Sequence, residues 1–208
     1  MLVGIADLGI GNFAAMAKMI AQLGGDPRRL TSPSEMLSAS HLILPGVGAF
    51  DYAADTLDRG GWREPLLRVF ADGGRPVLCV CVGMELLVNS SEEGPGAGLG
   101  WIPGSCVRFR PPQYTGLKVP HMGWNEVSPT HPSPLFPNPA VTSPERYYFC
   151  HSYHLACTKA DDVLATSDYG QTFPAAIGRD NVMGVQFHPE KSHRFGLRLL
   201  RSFLDIPC

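Results

Sequence analysis

An apolar run that halts on a cysteine constrains this chain most. In Pro76-Val-Leu-Cys-Val-Cys-Val-Gly-Met-Glu-Leu-Leu87 the strand-like residues end at Cys81, and a helix-compatible stretch begins after Gly83. The rest of the first half repeats this strand-to-helix alternation. Leu2 to Ala6 and His41 to Leu44 read as buried strands, and Pro76 to Val80 is a third. Asn12 to Leu23 carries Phe13, Met16, Ala17, Ile20 and Leu23 near helical spacing, and further helical stretches run around Tyr52 to Leu57 and Trp62 to Phe70. Such alternation predicts an α/β fold of three layers, with a largely parallel central sheet and helices on both faces.

The second half is richer in proline and β-forming residues. Strands are expected at Cys106 to Phe109, Lys118 to Pro120, Arg146 to Tyr153, Val163 to Ser167, Ala175 to Ile177 and Val182 to Gln186. Pro129 to Pro144 holds six prolines and must be a loop or extended connection. A helix from about Ser192 to Leu204 closes the chain. No internal repeat or linker divides residues 1–208, so a single domain is expected.

Charge narrows the functional classes. With 17 basic and 19 acidic side chains the formal net charge is −2, without the basic stripe of a nucleic-acid binder. No apolar run approaches the roughly 20 residues that cross a bilayer. The N-terminal stretch lacks the basic flank of an export signal, so the six cysteines are expected to be reduced thiols in the cytoplasm.

A residue at a strand-to-helix turn is pushed out of the sheet edge beside a helix N-terminus. The free amides there favour an anion, which would lower a thiol's pKa, and they offer donors to an oxyanion. Cys81 therefore reads as a nucleophile on an elbow of the Gly-x-nucleophile-x-Gly type, or more plainly as a small buried hydrophobe. Val182-Met-Gly-Val-Gln-Phe-His-Pro-Glu190 favours the first reading. Pro189 biases His188 towards extended backbone, where side chains two apart share a face, so Glu190 can orient the imidazole that would deprotonate Cys81. In Leu42-Ile-Leu-Pro-Gly-Val-Gly-Ala-Phe50, Gly46 and Gly48 follow a strand and suit either an oxyanion hole or a plain turn.

LPGVGAF, the cysteine elbow, YYFCHSY and GVQFHPEKS, in this order, resemble the class I (triad) glutamine amidotransferases. DLGIGN, LPGVGAF, PHMGWN and HSY together resemble, more narrowly, the glutaminase subunits of imidazole glycerol phosphate synthases, from Asp7 to about Phe203. The resemblance implies that Cys81 attacks the side-chain amide of L-glutamine, that His188 shuttles protons and that Glu190 holds His188. It implies that Gly46, Val47 and Gly48 form the oxyanion strand, and that Glu85, His151, Ser152 and Tyr153 line the glutamine pocket. It also implies a heterodimer with a (β/α)8-barrel cyclase that takes up the ammonia, with Asn12, Met122, Trp124 and Lys191 facing that partner. The chemistry calls for no cofactor and no metal.

Three positions depart from the family pattern. Cys79 stands where the elbow normally has glycine, Glu85 where glutamine usually helps hold the substrate, and His154 where a second tyrosine often follows Tyr153. Cys79 and Glu85 keep a catalytically degenerate subunit in view. Val-Cys-Val, Ser-Ser-Glu-Glu-Gly, Gly-Leu-Gly-Trp-Ile and the Ser-His after His-Pro-Glu-Lys look like relatives that feed sugar amidation in surface-polysaccharide pathways. A zinc site in Cys150-His151-Ser-Tyr-His154-Leu-Ala-Cys157 is disfavoured, since on a strand these side chains divide between two faces. A cysteine peptidase on a related fold would leave PHMGWN without a role.

Overall fold

The computed structural model describes residues 1–113, 116–138 and 145–208. Four apolar strands set its frame. These are β1 (Leu2–Ala6), β3 (His41–Gly46), β4 (Val77–Cys81) and β12 (Val182–Val185), buried along nearly their whole lengths. A strand without a solvent face needs cover on both sides, which crossover helices supply. With β2 (Asp26–Leu30) outside β1, they form the parallel half of a sheet in the order β2-β1-β3-β4-β12. An antiparallel half continues from β12 through β11 (Thr172–Arg179), β10 (Val163–Asp168), β7 (His121–Pro129) and β8 (Glu145–His151). A small second sheet joins β5 (Ser90–Ser91), β6 (Gly104–Arg108) and β9 (Tyr153–Cys157).

Helix α1 (Phe13–Gln22) packs against α5 (His193–Leu204), and α2 (Phe50–Arg59) against the single turn α4 (Val82–Glu85). Helix α3 (Arg63–Asp72) follows α2 and buries Leu66, Val69 and Phe70. Among the described residues no helix is long and apolar enough to cross a membrane.

The structure corrects several sequence expectations. Lys118 to Pro120 is not a strand; pairing begins only at His121, because Pro120 has no N–H to give to a ladder. Arg146 to Tyr153 is not one strand. It breaks at Ser152, so β8 stays in the large sheet while β9 crosses to the small one. The helix after β4 starts at Val82, two residues earlier than a start after Gly83, and lasts one turn. Strand β2 is hidden by its composition, Asp-Pro-Arg-Arg-Leu, which suits an exposed edge. Pro129 is not loop but the last residue of β7; residues 130–138 are irregular, as the prolines require, and residues 139–144 of the Pro129 to Pro144 expectation lie outside the described residues.

One contact between backbones decides where the chain must turn. In the register of β3 and β4, Leu44 lies beside Cys79 and Gly46 beside Cys81. A Cβ on Gly46 would stand 2.7 Å from the Gly83 amide nitrogen, and one on Gly83 would run into the Leu44 carbonyl oxygen. Gly83→Ala should therefore lower stability by about 2–4 kcal/mol, read as the midpoint of urea unfolding. An unchanged midpoint would show slack in this turn.

Candidate active site

At the end of β4, Cys81 has φ 54° and ψ −114°, outside the wells that residues with a Cβ normally occupy. Strain of about 1–3 kcal/mol at a single residue persists only where the surroundings enforce it. Here the apposed Gly46 and Gly83 backbones enforce it. The turn presents Cys81 to a cleft of about 360 Å³, large enough for a metabolite. Val47, Gly48, Glu85, His151, Ser152, Tyr153, His188 and Lys191 line the same cleft. Gly46 is set beside Cys81 in the sheet, and Glu190 lies behind His188. The expected site residues are thus brought together from segments more than a hundred positions apart.

Nδ1 of His188 is 2.9 Å from Oε1 of Glu190, and both side chains are buried. Because an ionised carboxylate only accepts, this bond assigns the proton to Nδ1 and leaves Nε2 free as a base. The geometry that achieves it differs from the extended chain expected. His188 is extended, but Glu190 lies in a 3₁₀ turn, Pro189–Lys191, that folds its carboxylate back under the ring. Ser192 fixes this turn: its hydroxyl donates to the His188 carbonyl at 2.6 Å and accepts the Tyr148 N–H at 3.0 Å. The His188 N–H in turn donates to the Tyr148 carbonyl at 2.9 Å.

Electrostatics correct a second expectation. The Cys81 thiol is pushed well above its ordinary pKa, first by burial and then by the charge of Glu85, against the lowering effect of the Val82 N–H. A one-turn helix supplies too little field to reverse that balance. Cys79 is fully buried and its thiol is also raised by burial, so it stays protonated. Its neighbour in the register, Gly184, adds no side chain to the layer under α4. The Val47 N–H is given to the Ile10 carbonyl at 2.5 Å, so in this conformation it is not offered to the cleft.

The Ser152–Tyr153 wall is held by two histidines. His151 Nδ1 donates to the Tyr153 carbonyl at 2.6 Å, so its Nε2 accepts from Nδ1 of His121 at 3.0 Å. Asn125 Nδ2 then donates to His121 Nε2 at 3.3 Å. Burial holds His121 down at about 4 and His151 at about 3, so both rings are neutral near pH 7. With both ring nitrogens engaged, His151 has no lone pair left for a metal. His154 bonds Gln171 and the Leu155 carbonyl, so its role is structural.

The residues expected to face a partner are exposed. Met122 is 60% and Trp124 39% exposed, and Asn12 and Lys191 also reach solvent. Trp124 stacks on His193 at 5.5 Å and meets Tyr148 edge-on, and the Lys191 ammonium lies 5.6 Å from the Tyr148 ring centroid. Asn12 caps α1 through Ala15, two residues from the Ile10 carbonyl that holds Val47. Sequence reasoning missed Glu93, Pro120 and Cys150 in the cleft wall, and Ser192 behind His188. Glu93, inside the Ser-Ser-Glu-Glu-Gly run, gives no periodic signal; its carboxylate is held by the Phe50 N–H at 2.7 Å.

Comparison with known proteins gives a consistent result. Residues 17–206 match the sequence profile described as glutamine amidotransferase class-I. The chain is 46% identical to the imidazole glycerol phosphate synthase subunit HisH of Syntrophotalea carbinolica, over 99% of this chain and 100% of that one. It is 42% identical to the subunit HisH 2 of the same synthase in Pseudomonas aeruginosa, with the same coverage. A solved glutamine amidotransferase superposes with a TM-score of 0.74 at 18% identity, over 98% of this chain and 97% of that one. Another glutamine amidotransferase, from Thermotoga maritima, gives 0.67 at 15%, over 99% and 96%. At these identities the two structures report on the fold alone.

The neutral histidine pair predicts a pH dependence with a definite sign. Both folded pKa values lie below the unfolded value of about 6.5, so the unfolded chain binds more protons below that pH. Stability should be full above about 6.5 and fall as pH drops towards 4. Glu85, raised to about 7, works the other way between about 4.5 and 7. Comparison with His121→Gln isolates the histidine contribution: urea midpoints between pH 7 and 5 should fall less steeply in the variant. Equal slopes would contradict the neutral pair.

Proposed function

The chain belongs to the class I glutamine amidotransferases, and from that premise we propose that residues 1–208 form one glutaminase domain, the ammonia-producing subunit of an imidazole glycerol phosphate synthase. One observation carries the assignment of chemistry: a cysteine in forced backbone geometry shares a cleft with a histidine whose far nitrogen is held by a buried glutamate. In this reading Cys81 loses its proton to Nε2 of His188, and the sulfur attacks the carboxamide carbon of L-glutamine. His188 then hands that proton to the departing nitrogen, so ammonia leaves and a glutamyl thioester remains. Water attacks the thioester with His188 again as base, which releases glutamate and restores the thiol. Val82 supplies one N–H beside the sulfur, and Val47 would supply another to the oxyanion once its peptide turns from Ile10.

The same features support dependence on a partner. The thiol rests protonated and the Val47 N–H is turned away, so the isolated chain should be nearly idle. Asn12, Met122, Trp124 and Lys191 form the face we assign to the cyclase, which makes imidazole glycerol phosphate and AICAR in histidine biosynthesis. A buried route to that partner has a chemical purpose, since ammonia released to water at neutral pH is mostly protonated and useless as a nucleophile.

Glutamate release by the chain mixed with its cyclase should rise by about a hundredfold or more when the cyclase's ribulosyl-phosphate substrate is added. Cys81→Ser should abolish this activity, and Glu190→Gln should lower kcat by roughly a hundredfold or more. A folded chain that shows no stimulation would remove the histidine-pathway assignment and direct the search to a sugar-modifying synthase.

A further inference from the structure

Ser192 stands where a serine ordinarily caps a helix, but it does not cap. It is the N-cap residue of α5, yet its side chain makes no bond to the first turn of that helix. A capping hydroxyl is a standard source of helix stability, so withholding it from the free α5 amides has a cost. The hydroxyl is turned inward instead, and the residue is fully buried. There it donates to the His188 carbonyl at 2.6 Å and accepts the Tyr148 N–H at 3.0 Å.

These two bonds close a ring with a third, from the His188 N–H to the Tyr148 carbonyl at 2.9 Å. Both backbone polar groups of His188 are thereby tied to one residue of β8. The other bond to the His188 carbonyl comes from the Lys191 N–H at 3.1 Å, inside the 3₁₀ turn, and moves with that turn. On the far side α5 presses close, since a Cβ on Gly196 would run into the Pro189 carbonyl oxygen. Glu190 depends on this frame. Its Oε1 meets Nδ1 of His188 at 2.9 Å, but its Oε2 is buried with no hydrogen-bond partner among the described residues. No donor steadies the carboxylate from behind, so its alignment with the ring comes from the turn that carries both.

We propose that Ser192 is a positioning residue of the site: its hydroxyl locks the turn after His188 to β8 and so keeps the imidazole and the Glu190 carboxylate in register. The proposal rests on the glutaminase reading above. Ser192 acts through backbone and touches neither sulfur nor substrate. His188 has to take a proton from Cys81 and return it to the departing nitrogen, and a small displacement of the ring weakens both transfers. The cleft walls at Gly48, Ser152 and Tyr153 lie outside the hydrogen-bonded ring. Loss of the hydroxyl therefore falls on turnover and spares glutamine binding.

In the complex with the cyclase, Ser192→Ala should lower kcat for glutamate release by about tenfold or more and leave KM for glutamine within about twofold. Ser192→Thr, which keeps the hydroxyl, should hold kcat within about threefold of the wild type. Imidazole ¹⁵N NMR supplies a readout that a loss of stability alone does not move. The His188 signals, assigned by their absence in His188→Gln, should report one tautomer in the wild-type chain, protonated at Nδ1. Folded Ser192→Ala should show a mixture of tautomers. An unchanged kcat in folded Ser192→Ala, a defect confined to KM, or a His188 spectrum identical to the wild type overturns the proposal. If the alanine variant does not fold, Ser192→Thr decides: a folded threonine variant with kcat down tenfold or more overturns the proposal as well. A wild-type complex that releases no glutamate from glutamine sinks the glutaminase reading instead, and the NMR comparison then still tests the lock, so the two failures are distinguishable.

Discussion

The contact between the backbones at Gly46 and Gly83 is the constraint on which the rest of the site depends. It brings the end of β3 against the start of α4 so closely that neither position can carry a side chain. The connecting residue must then take the strained backbone seen at Cys81. That strain turns the sulfur out of the sheet and into the cleft, where residues from the loop after β3, from β8 and β9 and from the turn after β12 converge. Ligand sites at the carboxyl ends of parallel strands are the rule for open α/β sheets. Here the rule has a local cause that can be named atom by atom.

A second theme is that the nucleophile rests uncharged where catalysis will need a thiolate. Cys81 is held protonated by burial and by Glu85, and the two histidines behind the Ser152–Tyr153 wall are neutral. Low exposure serves the chemistry, because bulk water is kept from the ammonia. It also makes the nucleophile hard to ionise. The Val47 N–H is likewise withheld from the cleft by its bond to the Ile10 carbonyl.

Much of this is legible in the sequence, for physical reasons. Buried parallel strands are continuous apolar runs, so β1, β3, β4 and β12 announce themselves. The elbow and His-Pro-Glu can be paired because each sits at the end of such a run. Strand β7 cannot be read this way, since His121 faces inward and Met122 and Trp124 outward, which inverts the usual alternation. That inversion is what a strand shows when its outer face is apolar and its inner face carries a hydrogen-bonded histidine. The sign of the Cys81 shift is not legible either, because local pattern reports the helix terminus but not the depth of burial or the carboxylates across the fold. Glu93 and Ser192 act through single hydrogen bonds to distant segments, and no periodicity encodes those.

Cys81, alone among six cysteines, is the proposed nucleophile towards glutamine. A chloroketone analogue of glutamine tests it most directly, with peptide mass mapping of the complex after partial inactivation. One adduct per chain is expected, on Cys81, formed in step with loss of glutaminase activity and slowed by glutamine. An adduct on Cys150 or another cysteine that tracks the loss of activity, or inactivation unaffected by glutamine, would contradict it.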